Sequence, residues 1–496
     1  MTQSEPVLIL GAGINGAAVA RDLALNGVAV WIVDRDDIAS GATSKSSRLI
    51  HGGLRYLEYG EFRLVREALG ERERLLRYAA DFVTPLRFYV PVRSRFGGWR
   101  AAIMRLVGGK PRGTSDRGLW LVRLGMWMYD HFTRASSLPR RSVHRATDAD
   151  VPRVDTTAFH WLCAYSDAQM MWPERYTIAL LRDAAELAAE QNVEFRVLTY
   201  RDVAMNGRQA LITDNLGNEE ALHLQPSLIV NATGAWGDRT LKHLHMAEKR
   251  LFGGTKGSHF VTANPTLRGA LKGRAVYCES SDGRFVFIIP IEDHVLVGTT
   301  EIAFDDDPRE AIATTDEIDY LIELVNNVVP AATLQRQDVL CHYSGVRPLP
   351  YAPAEAKSAV SRDHAIECSE SGGMTTFTLV GGKLTTSRLL AEQTTDRILA
   401  TLDRKRRRST AERTVRERSD DSARDSIENE WVRTLEDLVE RRLMLLPFAQ
   451  PTKEKLRVLA GDLVAHGLLK QDEVDGAVER CVHAVQRRYG YPIRDE

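Results

Sequence analysis

The chain has 496 residues, of which 27% are charged and 44% are hydrophobic, and its formal net charge is -1. A chain of this length is too long for one compact core and predicts two or three domains. Because the charges nearly balance, the sequence excludes a whole-chain attraction to nucleic acid or another polyanion. The odd number and wide spacing of the cysteines argue against a disulfide framework and a metal site, and favour a reducing cytosol. The cysteines are Cys163, Cys278, Cys341, Cys368 and Cys481.

The N-terminal residues predict neither a secretory leader nor a membrane anchor. Residues 1–6 contain no basic start followed by an apolar run, and a strand is predicted directly after them. No uncharged apolar run approaches the roughly 18 residues that a membrane-spanning helix needs. Any contact with a membrane is therefore expected to be peripheral.

The first predicted elements form a dinucleotide-binding unit. An apolar strand from Val7 to Leu10 leads into the GxGxxG motif of residues 11–16, and a helix from Ala17 to Asn26 follows. A second strand then ends at Asp34. A GxGxxG motif alone is often only a glycine-rich turn, but strand, helix, strand and acid together favour a dinucleotide site.

Each glycine of the motif has a distinct predicted role. Gly11 permits the tight turn, Gly13 lets the backbone approach a pyrophosphate, and Gly16 lets the helix pack on the strand. The helix N-terminus favours the negative diphosphate, and Asp34 can accept hydrogen bonds from a ribose. The predicted cofactor contacts in this unit are Gly11, Gly13, Asn15, Gly16 and Asp34.

A hydroxyl-rich loop from Ile38 to Ser47 follows Asp34 and distinguishes FAD from NAD. Many NAD-binding chains continue with another βα unit at this point. Small residues with hydroxyl groups can instead run along a cofactor and hydrogen-bond the polar edge of a flavin. A flexible serine linker is the alternative, and the dense motif of residues 49–56 argues against it. The expected cofactor contacts in the loop are Thr43, Ser44, Ser46 and Ser47.

The segment from Ser46 to Glu58, together with residues 61–72, closely resembles the FAD-dependent, quinone-linked (aerobic) glycerol-3-phosphate dehydrogenase family. The run Ser-Ser-Arg-Leu-Ile-His-Gly-Gly-Leu-Arg-Tyr-Leu-Glu is long and unusual, so it is far more specific than the glycine motif. The resemblance implies oxidation of sn-glycerol 3-phosphate to dihydroxyacetone phosphate with FAD as cofactor. It also implies a membrane quinone as electron acceptor.

Three later motifs also resemble the family. Residues 231–234 end a strand at a turn of small residues, residues 343–348 place Arg347 after a glycine, and residues 381–386 precede a helix from Ser387. An ordinary strand-to-turn exit is an equally good interpretation of residues 231–234 taken alone. The expected cofactor contacts in these motifs are Ala232, Thr233, Gly234, Gly381, Gly382, Lys383, Leu384 and Thr385.

A dianionic phosphate is best bound by arginine forks and lysine charge, and the matched motifs supply both. Three cations in three specific motifs argue against isolated surface ion pairs. His51 is the preferred general base and His259 the second choice, although a buried structural histidine is nearly as well supported. The predicted substrate-binding residues are Arg55, Tyr56, Arg347, Lys383 and His259, and the predicted catalytic residues are His51, Arg55 and Arg347.

Residues 91–129 combine eight basic residues and one acid with tryptophan and aliphatic residues, which is typical of a helix on an anionic membrane. Trp99, Ile103 and Leu106 have helical spacing. A cap domain with a solvated basic face is the alternative. The resemblance favours the membrane and predicts a cytoplasmic protein, peripheral on the inner membrane, and leaves a homodimer open.

The predicted fold is α/β: a Rossmann-like FAD-binding domain of the glutathione-reductase/D-amino-acid-oxidase type, an antiparallel-sheet substrate domain and a small helical C-terminal cap. The basic run from Arg404 is expected to be an exposed or disordered connector. Residues 170–175 depart from the family pattern, and the C-terminal region is shorter than in the family. The predicted boundaries are 1–85, 145–240 and 340–400 for the FAD-binding domain, 86–144 and 241–339 for the substrate domain, 401–428 for the connector and 429–496 for the helical domain.

Two other functions are compatible with these motifs. An oxidase of the same fold would act on another hydroxy acid or an amine and pass electrons to oxygen. A non-catalytic flavin-binding protein would have lost its site, but the intact Arg55, Arg347 and Lys383 argue against this interpretation.

Overall fold

The computed structural model describes residues 5–98, 117–132, 136–246, 249–280, 283–351, 363–417, 422–446, 449 and 451–495. The strands are β1 Val7–Leu10, β2 Val30–Val33, β3 Leu49–Ile50, β4 Val83–Val92, β5 Ser142–Arg145, β6 Trp161–Met170, β7 Phe195–Leu198, β8 Arg201–Asn206, β9 Gln209–Asp214, β10 Leu222–Leu224, β11 Ile229–Asn231, β12 Phe252–Thr262, β13 Ala275–Glu279, β14 Phe285–Ile291, β15 His294–Gly298, β16 Ile302–Ala303, β17 Val339–Pro350, β18 Ala365–Ser371 and β19 Met374–Val380.

The helices of the described residues are α1 Ile14–Leu25, α2 Phe62–Tyr78, α3 Leu119–Phe132, α4 Pro173–Glu190, α5 Gly237–His243, α6 Pro265–Leu271, α7 Thr315–Val328, α8 Ser387–Thr401, α9 Ala423–Asn429, α10 Lys453–Ala465 and α11 Val474–Tyr489. Short helical turns lie at Leu54–Tyr59, Gly234–Trp236, Pro308–Glu310, Pro330–Ala332, Arg336–Asp338, Leu435–Asp437, Leu438–Arg442 and Gln471–Glu473.

A six-stranded sheet in the order β18-β19-β11-β1-β2-β7 forms the first layer. Its strands are parallel except for β18, which pairs antiparallel with β19. Strands β1 and β2 are wholly apolar and buried, because α1, α4 and α8 pack against the sheet around one core. This sheet brings the ends of β1, β11 and β19 together, and each is followed by one of the predicted cofactor motifs.

A larger sheet in the order β16-β12-β15-β14-β13-β4-β6-β3 forms the second layer, with β17 added on β12 and β5 on β6. Most neighbours are antiparallel, as the predicted substrate domain requires. The predicted domain boundaries differ from this arrangement. Residues 145–170 and 340–350 were assigned to the FAD-binding domain, but β6 and β17 pair within the second sheet. Local patterns do not specify such long-range pairing.

Lys405, Arg407 and Arg408 of the basic segment after α8 are exposed, as expected of a connector, but the segment is also held against the first layer by arginine contacts. Arg404 donates to the carbonyl of Gly27 at 2.8 Å, and Arg406 pairs with Asp22 at 2.9 Å. The side chain of Asn26 accepts a hydrogen bond from the backbone of Arg407 at 2.8 Å. The arginines neutralise acids on α1 and satisfy carbonyl groups at its end, which fixes the chain.

The C-terminal part is helical, but the helix expected over residues 429–445 is wrong in extent. The chain turns at residues 430–434 and continues as the short turns Leu435–Asp437 and Leu438–Arg442. The helices expected over 452–466 and 471–489 are present as α10 and α11. They pack against β17 and the other strands of the second sheet around a shared apolar core.

Candidate active site

A cavity of about 570 Å³ lies between the two sheets and is lined by every predicted motif. One end is formed by the turn after β1 and by the ends of β2 and β11. The other end is formed by β12, β14 and β17 of the second sheet. The loop of residues 40–51 runs along the cavity from one end to the other.

The glycine turn is closely packed against β11, as predicted. Gly11 has a φ of 101°, and a Cβ there would lie 2.6 Å from the carbonyl oxygen of Ala232. A Cβ on Gly16 would lie 1.9 Å from the carbonyl oxygen of Gly11. Real Cβ atoms do not approach this closely, so both positions require glycine. The turn therefore leaves backbone N–H groups at the start of α1 close to the cavity.

Asp34 lies at the end of β2 and faces this turn. Its carboxylate accepts hydrogen bonds from the backbone N–H groups of Ala12 at 2.7 Å and Asp36 at 3.0 Å. Burial raises the pKa of Asp34 to about 7, although the two hydrogen bonds oppose this rise. The ionised carboxylate is thus poised to gain a further hydrogen-bond donor such as a ribose hydroxyl.

Asp34→Asn is expected to weaken FAD binding and to make the stability of the cofactor-free protein fall less between pH 5 and pH 8 than that of wild type. Because the folded pKa is raised from 3.8 to about 7, the contribution of Asp34 to stability is present below pH 4 and is lost as pH rises to 7. The asparagine side chain does not titrate, so the variant does not lose this contribution to stability as the pH rises. Thermal unfolding of both cofactor-free proteins at pH 5 and pH 8 tests the sign of the change in stability with pH that is due to Asp34. A variant whose stability falls between pH 5 and pH 8 as much as that of wild type would contradict it.

The same ionisation makes FAD affinity depend on pH. A ribose hydroxyl donates better to the carboxylate than to the carboxylic acid, so wild-type affinity should fall below pH 7. The affinity of the Asp34→Asn protein should change little between pH 5.5 and 8. Equal pH dependence of the two FAD dissociation constants would exclude Asp34 as the responsible group.

The hydroxyl-rich loop uses some of its hydroxyl groups to hold its own shape. Thr43 Oγ1 accepts a hydrogen bond from the backbone of Ile14 at 3.1 Å, at the start of α1. The hydroxyl of Ser44 donates to the carbonyl of Gly41 at 3.1 Å. The carbonyl of Ser46 accepts from the hydroxyl of Tyr343 at 2.9 Å. These contacts tie the loop to both sheets, and its cofactor contacts stay a prediction.

Sequence reasoning missed the ion pair beneath this loop. Arg48 donates to Glu174 through two nitrogens, at 2.8 and 3.0 Å, and both side chains are buried. Glu174 belongs to the stretch of residues 170–175 that departs from the family pattern. Such a bidentate pair is strong and directional. The pair therefore anchors the hydroxyl-rich loop on α4. The only sign of it in the sequence was that Arg48 lies within the matched family motif.

The turn after β19 joins the first motif to the last. Gly381 and Gly382 have φ of 80° and 89°, which glycine adopts without strain. The side chain of Asn15 donates to the carbonyl of Gly381 at 3.3 Å. The hydroxyl of Thr385 accepts from the backbone N–H of His51 at 3.2 Å. The residues predicted at 11–16, 51 and 381–385 thus meet around one part of the cavity.

The predicted phosphate-binding cations all line this cavity. Lys383 Nζ lies 4.1 Å from the ring centroid of Tyr56 and has no hydrogen-bond partner among the described residues. Arg347 donates to the hydroxyl of Thr299 at 3.1 Å. Arg55 lies over the ring of Phe285 at 5.7 Å. A shielded lysine and two arginines that line one cavity provide the charge that an organic phosphate needs.

The two histidines have different environments. His259 is buried, stacks on Tyr343 at 5.0 Å and hydrogen-bonds with the Ser47 hydroxyl at 2.8 Å. Burial and the nearby Arg347 and Arg48 lower the pKa of His259 to about 3. His259 is therefore neutral and a poor base at neutral pH. His51 lines the cavity, with its ring 6.3 Å from that of Phe287.

A buried polar network supports the turn that carries His51 and Arg55, and sequence reasoning missed it. The backbone N–H of Gly52 donates to the hydroxyl of Tyr129 at 2.8 Å, and this hydroxyl donates to Asp167 at 2.8 Å. Arg72 pairs with Asp167 at 2.6 Å. Tyr129 was assigned to the predicted membrane segment, but its side chain is buried. Aromatic residues on an amphipathic helix give no sign of which face is buried.

The cavity fits FAD on several independent counts. Close-packed glycines leave backbone N–H groups at the start of α1, and Asp34 is placed for a ribose. Asn15 Oδ1 and His259 Nδ1 are shielded from solvent and have no hydrogen-bond partner among the described residues, so a ligand can satisfy them. The fold and this cavity together define a flavoprotein oxidoreductase of the two-sheet type.

Comparison with known proteins gives the particular family. The model for FAD dependent oxidoreductases matches residues 6–388. The chain is 36% identical over 409 residues to a glycerol-3-phosphate dehydrogenase of Synechocystis, covering 78% of this chain and 68% of the relative. It is 37% identical over 395 residues to a D-erythritol 1-phosphate dehydrogenase of Brucella abortus, covering 78% and 72%. It is 31% identical over 397 residues to an aerobic glycerol-3-phosphate dehydrogenase of Escherichia coli, covering 79% and 72%.

The solved structures agree on the fold. The FAD complex of the Bacillus halodurans glycerol-3-phosphate dehydrogenase is 20% identical, with a TM-score of 0.70 and coverage of 98% of this chain and 95% of that one. The chain belongs to the FAD-dependent oxidoreductase family, and within it to the group that contains these glycerol-3-phosphate dehydrogenases. The predicted resemblance, fold class and FAD cofactor are confirmed.

Proposed function

We propose that this protein oxidises sn-glycerol 3-phosphate to dihydroxyacetone phosphate with bound FAD as the immediate oxidant. The observation that supports the proposal is that Arg55, Arg347 and Lys383 line the same cavity as His51 and the predicted cofactor motifs. Three cations in one cavity suit the dianionic phosphate of a small substrate, whereas the single carboxylate of an amino acid is bound by one arginine fork. The names of the relatives from Synechocystis and Escherichia coli support the same substrate.

Bound FAD supplies a two-electron acceptor for the hydride that leaves C2 of the substrate. The residues of the chain do the rest. Arg55, Arg347 and Lys383 bind the phosphate and hold C2 in place, which lowers the entropic part of the barrier. His51 accepts the proton of the C2 hydroxyl as general base. The nearby positive charge lowers the pKa of that hydroxyl, so a moderate base suffices.

A larger polyol phosphate is the second candidate substrate. The relative from Brucella abortus is named for D-erythritol 1-phosphate and is 37% identical. Anaerobic reduction of the bound flavin by glycerol 3-phosphate, D-erythritol 1-phosphate and glycerol separates the candidates. We expect the highest second-order rate constant for glycerol 3-phosphate. A rate constant at least tenfold higher for the erythritol phosphate would overturn the first assignment, and peroxide release in air would identify an oxidase.

We also propose a membrane quinone as the final acceptor, with the protein attached peripherally to an anionic membrane. A second cavity of about 250 Å³, lined mostly by apolar side chains, supports this proposal. It shares Leu54, Arg55, Tyr277 and Phe285 with the main cavity. One of its walls is α3. An apolar cavity beside the reaction site suits the ring of a lipophilic acceptor.

The outer face of α3 supports the membrane contact. Trp120 and Trp127 are 45% and 50% exposed, and Leu124 is exposed between them. No helix among the described residues is long and apolar enough to span a bilayer. Trp99, Ile103 and Leu106 of the predicted membrane segment lie outside the described residues. Arg117, counted among its basic residues, is instead buried and paired with Glu58 at 2.5 Å.

The double variant Trp120→Ser/Trp127→Ser is expected to bind vesicles with 30% anionic phospholipid about tenfold more weakly than wild type, because the two indoles leave the interface. Sedimentation with the vesicles measures the binding. Val458→Ser, at an exposed apolar position on α10, is the control and should bind like wild type. Unchanged vesicle binding by the double variant would show that α3 does not form the membrane contact. Turnover with a soluble dye acceptor should stay normal in both.

A further inference from the structure

The C-terminal part of the chain binds the segment that follows Asp34 through buried ion pairs. Asp37, three residues after the ribose-side carboxylate, is buried and pairs with Arg441 and Arg442, which are buried as well. Arg442 Nη2 donates to Asp37 Oδ1 at 2.9 Å, and Arg441 Nε donates to Oδ2 at 2.5 Å. Burial alone would raise the pKa of Asp37, but the two guanidinium groups outweigh burial and lower it.

Lys45 forms a second connection from the same loop. A Cβ on Gly345 would lie 2.5 Å from Lys45 Cβ, so this glycine leaves room for the lysine stem two residues before Arg347. The side chain then reaches α11. Its Nζ lies 3.8 Å from the ring centroid of Tyr489 and 5.9 Å from that of Tyr343. Both distances are within the range of a cation–π contact.

The charge of Lys45 is favoured mainly by Glu440 of the C-terminal part and to a smaller extent by Glu174 of α4. Its Nζ is shielded from solvent and has no hydrogen-bond partner among the described residues. Burial lowers the pKa of Lys45 to about 7, while Glu440 favours the cation. The hydroxyl of Tyr489 donates to Glu440 at 2.9 Å, so the ring and the carboxylate form one unit. A shielded ammonium is costly without such compensation.

We infer that Lys45 is a positioning residue through which the C-terminal helix α11 holds the FAD-binding loop. Tyr489 and Glu440 fix the lysine, and the lysine fixes the adjoining Ser46 and Ser47 along the cavity. The matched family region ends at residue 388, so a segment outside it completes the cofactor site. The inference concerns FAD binding and does not depend on which substrate is oxidised.

The competing explanation is that the Asp37 ion pairs hold the loop alone and that Lys45 only fills space. Lys45→Met separates the two, because methionine keeps most of the length of the apolar stem and removes the charge. Tyr489→Phe keeps the aromatic ring, whereas Tyr489→Leu removes it. Lys470→Met is the control, since Lys470 is exposed on the surface.

The experiment measures the FAD dissociation constant of each full-length protein after removal and re-addition of the cofactor, by quenching of flavin fluorescence. A buried cation–π contact predicts an increase of about tenfold for Lys45→Met and for Tyr489→Leu. The Lys45→Met/Tyr489→Leu double variant should show no further increase, because both changes remove the same contact. Tyr489→Phe and Lys470→Met should stay within twofold of wild type. The visible circular dichroism of the bound flavin should change only in the weakened variants.

An FAD dissociation constant of Lys45→Met within twofold of wild type would overturn the inference. Multiplicative effects in the double variant would also overturn it, because they would show independent sites. If Lys45→Met does not fold, the comparison of Tyr489→Phe with Tyr489→Leu decides, and equal affinities overturn the inference. Since turnover is not the readout, a wrong substrate assignment would leave this result unaffected.

Discussion

Replacing Arg347 by methionine is expected to lower kcat/KM for glycerol 3-phosphate by about 30-fold to 4,000-fold. Arg347 lies on β17 at the substrate end of the cavity, where the hydroxyl of Thr299 orients it. Loss of one partner of a desolvated, hydrogen-bonded charge pair costs about 2–5 kcal/mol, and every 1.4 kcal/mol is a factor of ten. Steady-state kinetics with a soluble acceptor measures the loss.

Two comparisons make this result specific to the phosphate. Arg336→Met removes an exposed arginine that pairs with Asp319 on the surface, and it should leave kcat/KM within twofold. With unphosphorylated glycerol the loss in Arg347→Met should be much smaller, because the phosphate contact is absent and only the effect of the charge on the C2 hydroxyl remains. An equal loss for glycerol would mean that Arg347 supports the fold or the flavin. A decrease in kcat/KM of less than tenfold with glycerol 3-phosphate would show that Arg347 does not bind the phosphate.

The features of the site that could be predicted from the sequence are those in which the backbone geometry of a few neighbouring residues restricts which residue types fit. The motif of residues 11–16 is constrained by backbone contacts that only glycine permits, and the turn at Gly381 and Gly382 needs positive φ. Such constraints place glycines at fixed positions within a short stretch of sequence, where they can be recognised. The shared site of the later motifs followed from the resemblance, because no local pattern indicates that residues 55, 347 and 383 line one cavity.

The residues that sequence reasoning missed act through long-range contacts. Tyr129 and Arg117 belong to a segment whose composition is typical of a membrane surface, yet both are buried. Their burial depends on Asp167 and Glu58, which come from other elements. The basic run at 404–417 looks solvated because its acidic partners lie on α1 and α4. Composition reports how many charges a segment has, and only the tertiary structure determines which of them are paired.

The histidines show how the structure refines a prediction made from residue type. Both could serve as a base by their ordinary pKa. The buried position of His259 between two arginines lowers its pKa to about 3, so it holds the loop through Ser47 and is ill suited to accept a proton. His51 lines the same cavity as the cofactor loop and the three cations. It is therefore the better candidate for the general base.

His51→Gln is expected to lower kcat by about 100-fold to 10,000-fold, the range for loss of a positioned general base. The glutamine keeps the backbone N–H that donates to Thr385, so FAD content and the flavin absorption spectrum should stay as in wild type. Rapid-reaction measurement of anaerobic flavin reduction by glycerol 3-phosphate isolates the step that needs the base.

His259→Gln is the matched comparison, because it changes the other histidine of the same cavity. Since His259 is neutral at pH 7, this change should lower the rate of flavin reduction by less than tenfold. It should instead affect the hydrogen bond with Ser47 and hence the flavin spectrum. A smaller effect for His51→Gln than for His259→Gln would reverse the assignment. Near-normal reduction in both variants would mean that positive charge around the C2 hydroxyl, supplied by Arg55, Arg347 and Lys383, suffices for proton loss to solvent.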